Sequence, residues 1–290
     1  MATYYMSIVV LIASLIASST AVSETILSDV NLLEFPLNLE YLEAEFFLFG
    51  STGYGLDKVA PELAEGGPAP VGAKLAKFND TVIKDIIYQF ALQEVGHLRA
   101  IKNTVTGFPR PLLDISHSSF AKVIDKAFGR PLRPSFDPYA NDINYLIASY
   151  LIPYVGLTGY VGANPLLQNA SSRQLVAGLL GVESGQDAVI RGLLYERRAW
   201  KVNPYGVTVG EFTDRISKLR NQLGNEGVKD EGLDETFSAG SILAGDKYSL
   251  AYSRTPKEIL RIVYGSGNET IPGGFYPKGG NGHIARSYLK

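Results

Sequence analysis

Residues 89–101 read QFALQEVGHLRAI. They sit in a longer stripe, Ile83, Ile87, Phe90, Glu94, His97 and Ile101, whose spacings of four and three mark one face of an α-helix. That face is apolar except at Glu94 and His97. A carboxylate and one of the chain's three histidines thus stand one turn apart where core residues belong. A buried, unpaired carboxylate either takes up a proton or finds a cation. The stretch predicts a long core helix, from about Lys74 to Val105, that carries polar chemistry inward.

Working outward, three more long helical patterns appear. In DVNLLEFPLNLEYLEAEFFLFG (29–50), Leu32, Phe35, Leu39, Leu42 and Phe46 repeat at three and four, Pro36 sits in the first turn or kinks the helix, and Gly50 closes it. NDINYLIASYLIPYVGLTGYVG (141–162) is apolar on nearly all sides, which predicts the most buried helix, kinked at Pro153. The fourth runs from about Ser171 to Ala199 with the stripe Val176, Leu179, Glu183, Gln186, Ile190 and Leu193. Between the second and third lies a long connector with one short helix, SSFAKVIDKAFG (118–129). TVGEFTDRISKLRNQLG (208–224) predicts a shorter fifth helix, and the Gly-rich remainder reads as irregular with a hairpin. Four long amphipathic helices joined in this way make the fold class all-α, a helical bundle. Residues 24–205 form the bundle and 206–290 an extension packed on it.

Polar residues recur inside these stripes. Glu183 and Gln186 repeat in the fourth helix the spacing of Glu94 and His97, and the first helix carries Glu40 and Glu43 beside its apolar stripe. Pairs three apart aim both side chains at one point, and carboxylate and imidazole ligands from facing helices are how bundles build metal sites. A hydrogen-bonded polar network, with Glu94 bonded to His97 or to a tyrosine of the third helix, accounts for the same pattern. Tyr145, Tyr150, Tyr154 and Tyr160 all fall on that helix, and Tyr150 and Tyr154 with Glu43 offer a pocket for a small aromatic or sugar-like molecule.

LNLEYLEAEFF, LQEVGHLRAI, IPYVGLTGYVGANP and GVESGQDAVIRGLLYER together resemble the plant desiccation-related proteins, a secreted branch of the ferritin-like superfamily. The resemblance covers the whole chain after its leader and implies a ferritin-like four-helix bundle with one long crossover between the second and third helices. By position it makes Glu40 the metal ligand of the first helix, Glu94 and His97 those of the second, and Glu183 that of the fourth, with Gln186 where a di-iron oxidase has histidine. The third helix departs: no Asp or Glu lies between Asp142 and Glu183, and the neighbourhood of Pro153 and Tyr154 stands where a bridging carboxylate is expected. The implied function is a stress-associated protein holding one iron, manganese or zinc ion without catalysis. The alternatives are an iron- or manganese-dependent oxidase and a metal-free structural or small-molecule-binding protein.

The N-terminus reads as an address. SIVVLIASLIASS (7–19) is a short apolar core followed by Ala21-x-Ser23, predicting a signal peptide over residues 1–23 cleaved before Glu24. Sequons at Asn79, Asn169 and Asn268 agree with a secreted glycoprotein of the extracellular space, cell wall or vacuole, free of the membrane once the leader is removed. A cell-wall component or a small molecule is the expected partner. The formal charge of −2 points away from nucleic acid, and the absence of cysteine removes thiolate catalysis and iron–sulfur chemistry. No Gly-x-Ser-x-Gly elbow is present for a serine hydrolase.

Overall fold

The computed structural model describes residues 27–233 and 242–289. The leader and its cleavage site lie outside the described residues. The first predicted helix is two: α1 (Asp29–Glu34) and α2 (Leu37–Thr52), broken at Phe35–Pro36. Two short helices, α3 (Leu56–Val59) and α4 (Pro61–Ala64), follow. Then comes α5 (Thr81–Lys102), which starts later than the expected Lys74 because Asp80 caps it, accepting the N–H groups of Val82 and Ile83. The crossover holds α6 (His117–Phe128). The third long segment is also broken, into α7 (Asp142–Ser149) and α8 (Pro153–Ala163), and α9 (Ala170–Glu196) completes the bundle. The stretch Asp142–Leu166 has the length and hydropathy to cross a membrane, but 78% of its most apolar window is buried inside the protein.

Beyond the bundle, a two-stranded hairpin, β1 (Lys201–Val202) with β2 (Val207–Thr208), leads into α10 (Val209–Gly224). The hairpin therefore precedes the fifth helix rather than lying in the Gly-rich tail. That tail contains two short helices, α11 (Pro256–Val263) and α12 (Gly282–Tyr288). Thr255 and Glu258 form a reciprocal capping box at the start of α11, so the signal was present in the sequence as Thr-Pro-Lys-Glu.

The most buried helix is α2, where every residue from Leu37 to Leu48 is buried, rather than the 141–162 segment. One side packs on α5 and α8. The other is covered by connectors and the tail, which satisfy its polar groups: the Tyr41 hydroxyl donates to the carbonyls of Leu63 and Phe108, and the Tyr276 hydroxyl to that of Asn38. Asn38 also exchanges two hydrogen bonds with the Asn281 backbone. Tyr145 stacks on Phe46 with ring centroids 4.6 Å apart and donates to its carbonyl, so close to α2 that a side chain at Gly50 would overlap the phenol. Burying each large apolar side chain of α2 contributes about 1.5–3 kcal/mol. Those contributions hold the helix in place while it carries Glu40, Glu43 and Glu45 inward.

Glu45 shows how the fold treats a buried acid it means to neutralise. Arg110 from the crossover, itself buried, bonds Glu45, reaches Asp57 at 2.9 Å and donates to the carbonyls of Gly67 and Pro68. Removing one partner of a buried pair costs roughly 3–5 kcal/mol because the other charge is stranded. Arg110→Ala is therefore expected to lower unfolding stability by about that amount in urea titration. Arg99→Ala, which breaks an exposed pair with Glu62, should cost at most about 1 kcal/mol.

Candidate metal centre

Glu40 and Glu43 of α2, Glu94 and His97 of α5, and Glu183 and Gln186 of α9 meet in the middle of the bundle, all buried. His97 Nδ1 lies 3.1 Å from Glu40 Oε2, 3.3 Å from Glu94 Oε2 and 3.3 Å from Glu183 Oε1. One ring nitrogen carries at most one hydrogen, so it cannot bond three carboxylates together. Ligand atoms of Glu40, Glu94, His97 and Glu183 all fall within 4.8 Å of one another. Such a group could hold a metal ion.

The surroundings supply few donors. Tyr160 of α8 donates to Glu40 Oε1, and Gln186 Nε2 donates to Glu94 Oε1 and to Gln93. Among the described residues, no hydrogen bond is made to Glu43 Oε2, Glu94 Oε2 or either oxygen of Glu183, although the one Nδ1 of His97, bonded to Glu40, stands 3.3 Å from Glu94 Oε2 and from Glu183 Oε1. Stranded buried acceptors of this kind are rare in folded proteins. Hard carboxylate oxygens with one imidazole are the donor set that suits iron, manganese or zinc. The residues present therefore fit a metal, and the hydrogen-bonded network that the sequence left open does not satisfy these oxygens.

Without a metal the cluster holds its charge by proton uptake. Burial, then the charges of Glu183 and Glu40, pushes Glu94 well above the usual carboxylate range. Burial with the charges of Glu183, Glu94 and Glu40 does the same to Glu43. Burial lifts Glu183 to about 7. Glu40 is the exception. Burial raises it too, but the His97 charge and the hydrogen bonds from His97 and Tyr160 outweigh that and hold it below its ordinary value. His97 moves upward: burial opposes its charge, and Glu40 with the other two carboxylates overcomes that opposition.

The third helix meets the cluster at Gly156, not at Pro153 or Tyr154. A Cβ at Gly156 would stand 3.4 Å from Glu43 Oε1 and 3.6 Å from Glu183 Oε2. The space a helix-three carboxylate would fill thus borders Glu43, which the sequence paired with Glu40 and offered to a pocket but not to the ligand set. Tyr150 and Tyr154 are not brought to it. The Tyr150 hydroxyl joins Ser217 and the Glu231 carbonyl, the Tyr154 hydroxyl donates to the Lys229 carbonyl, and both rings face the buried Arg220. The turn at 150–152 resets the helical phase, so Tyr160 is the phenol that reaches the carboxylates. Of the sequons, Asn79 and Asn169 are exposed and Asn268 is half-buried.

Two openings approach the cluster. His97 lines a shallow depression between α5 and α9, with Gln174, Leu175 and Val182 around it. Glu40, Gly156 and Tyr160 form one end of an apolar chamber of about 270 Å³.

Residues 28–196 match the family model described as a ferritin-like domain. The chain is 56% identical over 269 residues to the ferritin-like catalase Nec2 of Nesocodon mauritianus, covering 90% of this chain and 86% of that one. It is 59% identical over 262 residues to the desiccation-related protein PCC13-62 of Craterostigma plantagineum, covering 88% and 83%. No solved structure matches the chain.

The shifts set a pH dependence for the metal-free protein. A carboxylate whose folded value is raised contributes stability that is complete below its ordinary value and lost as pH rises through the folded one. For Glu183 that window runs from 4.5 to about 7. Glu43 and Glu94, raised well above 4.5, extend it upward. Glu40, with a lowered value, works oppositely and only below 4.5. Chelator-treated protein should therefore melt at progressively lower temperature as pH rises through this window. Protein loaded with metal should not, since the ion replaces the protons.

Proposed function

Because this chain belongs to the desiccation-related branch of the plant ferritin-like proteins, we propose that its buried carboxylate–histidine cluster holds redox-active metal and that the protein breaks down peroxide. The observation that carries the reading is the set of buried carboxylate oxygens on Glu43, Glu94 and Glu183 that no hydrogen-bond donor satisfies. The catalase named among the relatives supports peroxide as the substrate.

Two positions can be assigned from the residues present. Glu40, Glu94, His97 and Glu183 would hold one ion. Glu43, Glu183 and the unpartnered Gln186 Oε1 would serve a second, with Glu43 taking over from the carboxylate that α8 lacks. Four carboxylates and a neutral imidazole balance the charge of two divalent ions. Bound there, redox-active metal would supply the electrons exchanged as two hydrogen peroxide molecules become two waters and one dioxygen. The protein's own groups keep the ligands in place. Tyr160 fixes Glu40 and Gln186 fixes Glu94.

A second reading is a non-catalytic stress protein with a single ion. It is favoured by the missing acid on α8 and by the desiccation-related relative. Metal analysis separates the two. The catalytic reading expects about two iron or manganese ions per chain, dioxygen released on adding hydrogen peroxide, and no release from zinc-loaded protein. Glu43→Gln should keep the fold, lose about one ion and stop dioxygen release, while Glu94→Ala with His97→Ala should lose both ions. One ion in the native chain with no dioxygen would establish the single-site protein.

We extend the proposal to location. Produced in a eukaryotic host, the mature protein should begin at Glu24 and lose mass on enzymatic deglycosylation, with glycans at Asn79 and Asn169. Asn169 caps α9 through Oδ1, which a glycan on its nitrogen leaves in place. An intact leader inside the cell would refute this.

A further inference from the structure

The apolar chamber has features that the metal reading does not use. It lies between the α1–α2 break, α8 and the two tail helices, with walls that include Leu32, Phe35, Leu39, Ile259 and Ile284. Its mouth is at Leu166, Ser253 and Thr255, all exposed. At about 270 Å³ it falls just below drug-sized sites of about 300–1,000 Å³.

Among the described residues, every charged group that lines it is already paired. Lys229 bonds Glu258 at 2.7 Å, Arg254 faces Asp230 and donates to Thr158, and Glu40 is held by His97 and Tyr160. The chamber therefore offers no free charge, and a charged ligand would lose its hydration without compensation. Its inner end is bounded by the missing side chain of Gly156. A group placed where that side chain would begin lies 3.4 Å from Glu43 Oε1 and 3.6 Å from Glu183 Oε2. At Gly159 and Gly162 a Cβ would instead collide with Ile259 and with the Arg254 carbonyl, so α8 is seated directly on the tail there. Gly156 is the glycine that opens toward the carboxylates.

We propose that this chamber binds a small neutral organic molecule, apolar over most of its body and ending in a hydroxyl or hydroperoxyl group that lies at Gly156. It enters past Ser253 and Leu166 and places its apolar body against Leu32, Phe35 and Ile259. Hydrogen peroxide needs no such walls and has the depression at His97 as a separate approach. The chamber does not depend on the ion, so the proposal stands apart from the peroxide reading.

The test is calorimetric titration of cumyl alcohol, and separately of cumene hydroperoxide, into chelator-treated full-length protein. Saturable binding of one or both is expected. Ala163→Phe, which fills the chamber from α8, and Ser253→Phe, which blocks the exposed mouth, should each abolish it while leaving the melting temperature and metal uptake unchanged. Ser253 is exposed, so its variant folds even if that of Ala163 does not. Tighter hydroperoxide binding would make the ligand a peroxide and tighter alcohol binding an alcohol or phenol, and both support the site. No saturable binding to the native chain, binding unchanged in Ser253→Phe, or equally tight binding of glycerol would overturn it. Because no metal is present, none of these outcomes bears on peroxide breakdown.

Discussion

Four glutamates gathered inside a helical bundle repel one another strongly, since low local polarisability leaves little to screen them. Something positive has to join them, and the surrounding structure is organised around that requirement. Where the fold neutralises a buried acid for stability alone it supplies an arginine, as at Glu45, whose partner Arg110 has nearly all its hydrogens placed. Around Glu43, Glu94 and Glu183 the described residues supply no arginine or lysine, only one imidazole at the centre. The contrast between two acid sites on the same helix α2 is the strongest sign that the central charge is left for an external cation.

Holding such a cluster without water demands that α2 be covered all round. In a plain four-helix bundle the outer face of the first helix meets solvent. Here α3, α4, the crossover and the tail close over it, and their backbone carbonyls take the hydroxyls of Tyr41 while Tyr276 bonds back to α2. The extension after α9 thus helps enclose α2, although none of its described residues belongs to the acidic cluster. It also creates the apolar chamber, because α11 and α12 bridge over the α1–α2 break instead of filling it.

What could be read from residues alone follows how local each signal is. Glu94 with His97, and Glu183 with Gln186, lie within unbroken helices, so spacing alone aims them together. Glu40 and Glu43 lie three apart in α2 by the same spacing, and the resemblance singled out Glu40. The resemblance also put the neighbourhood of Pro153 and Tyr154 beside the site; beyond the turn at 150–152 that place falls to Gly156, next to Glu43. A glycine leaves no side-chain signal, and its meaning here exists only in what its absent Cβ would touch. The burial of α2 was invisible for another reason: the segments that cover it come from 20 to more than 200 residues away.

The paired hydrogen bonds between Asn38 and Asn281 join positions 243 residues apart. The cover over α2 thus depends on contacts that span most of the described chain, and it forms only once the segment around Asn281 has been synthesised. Bundle and tail are therefore bound into one unit, in which loosening the late segment uncovers the first long helix.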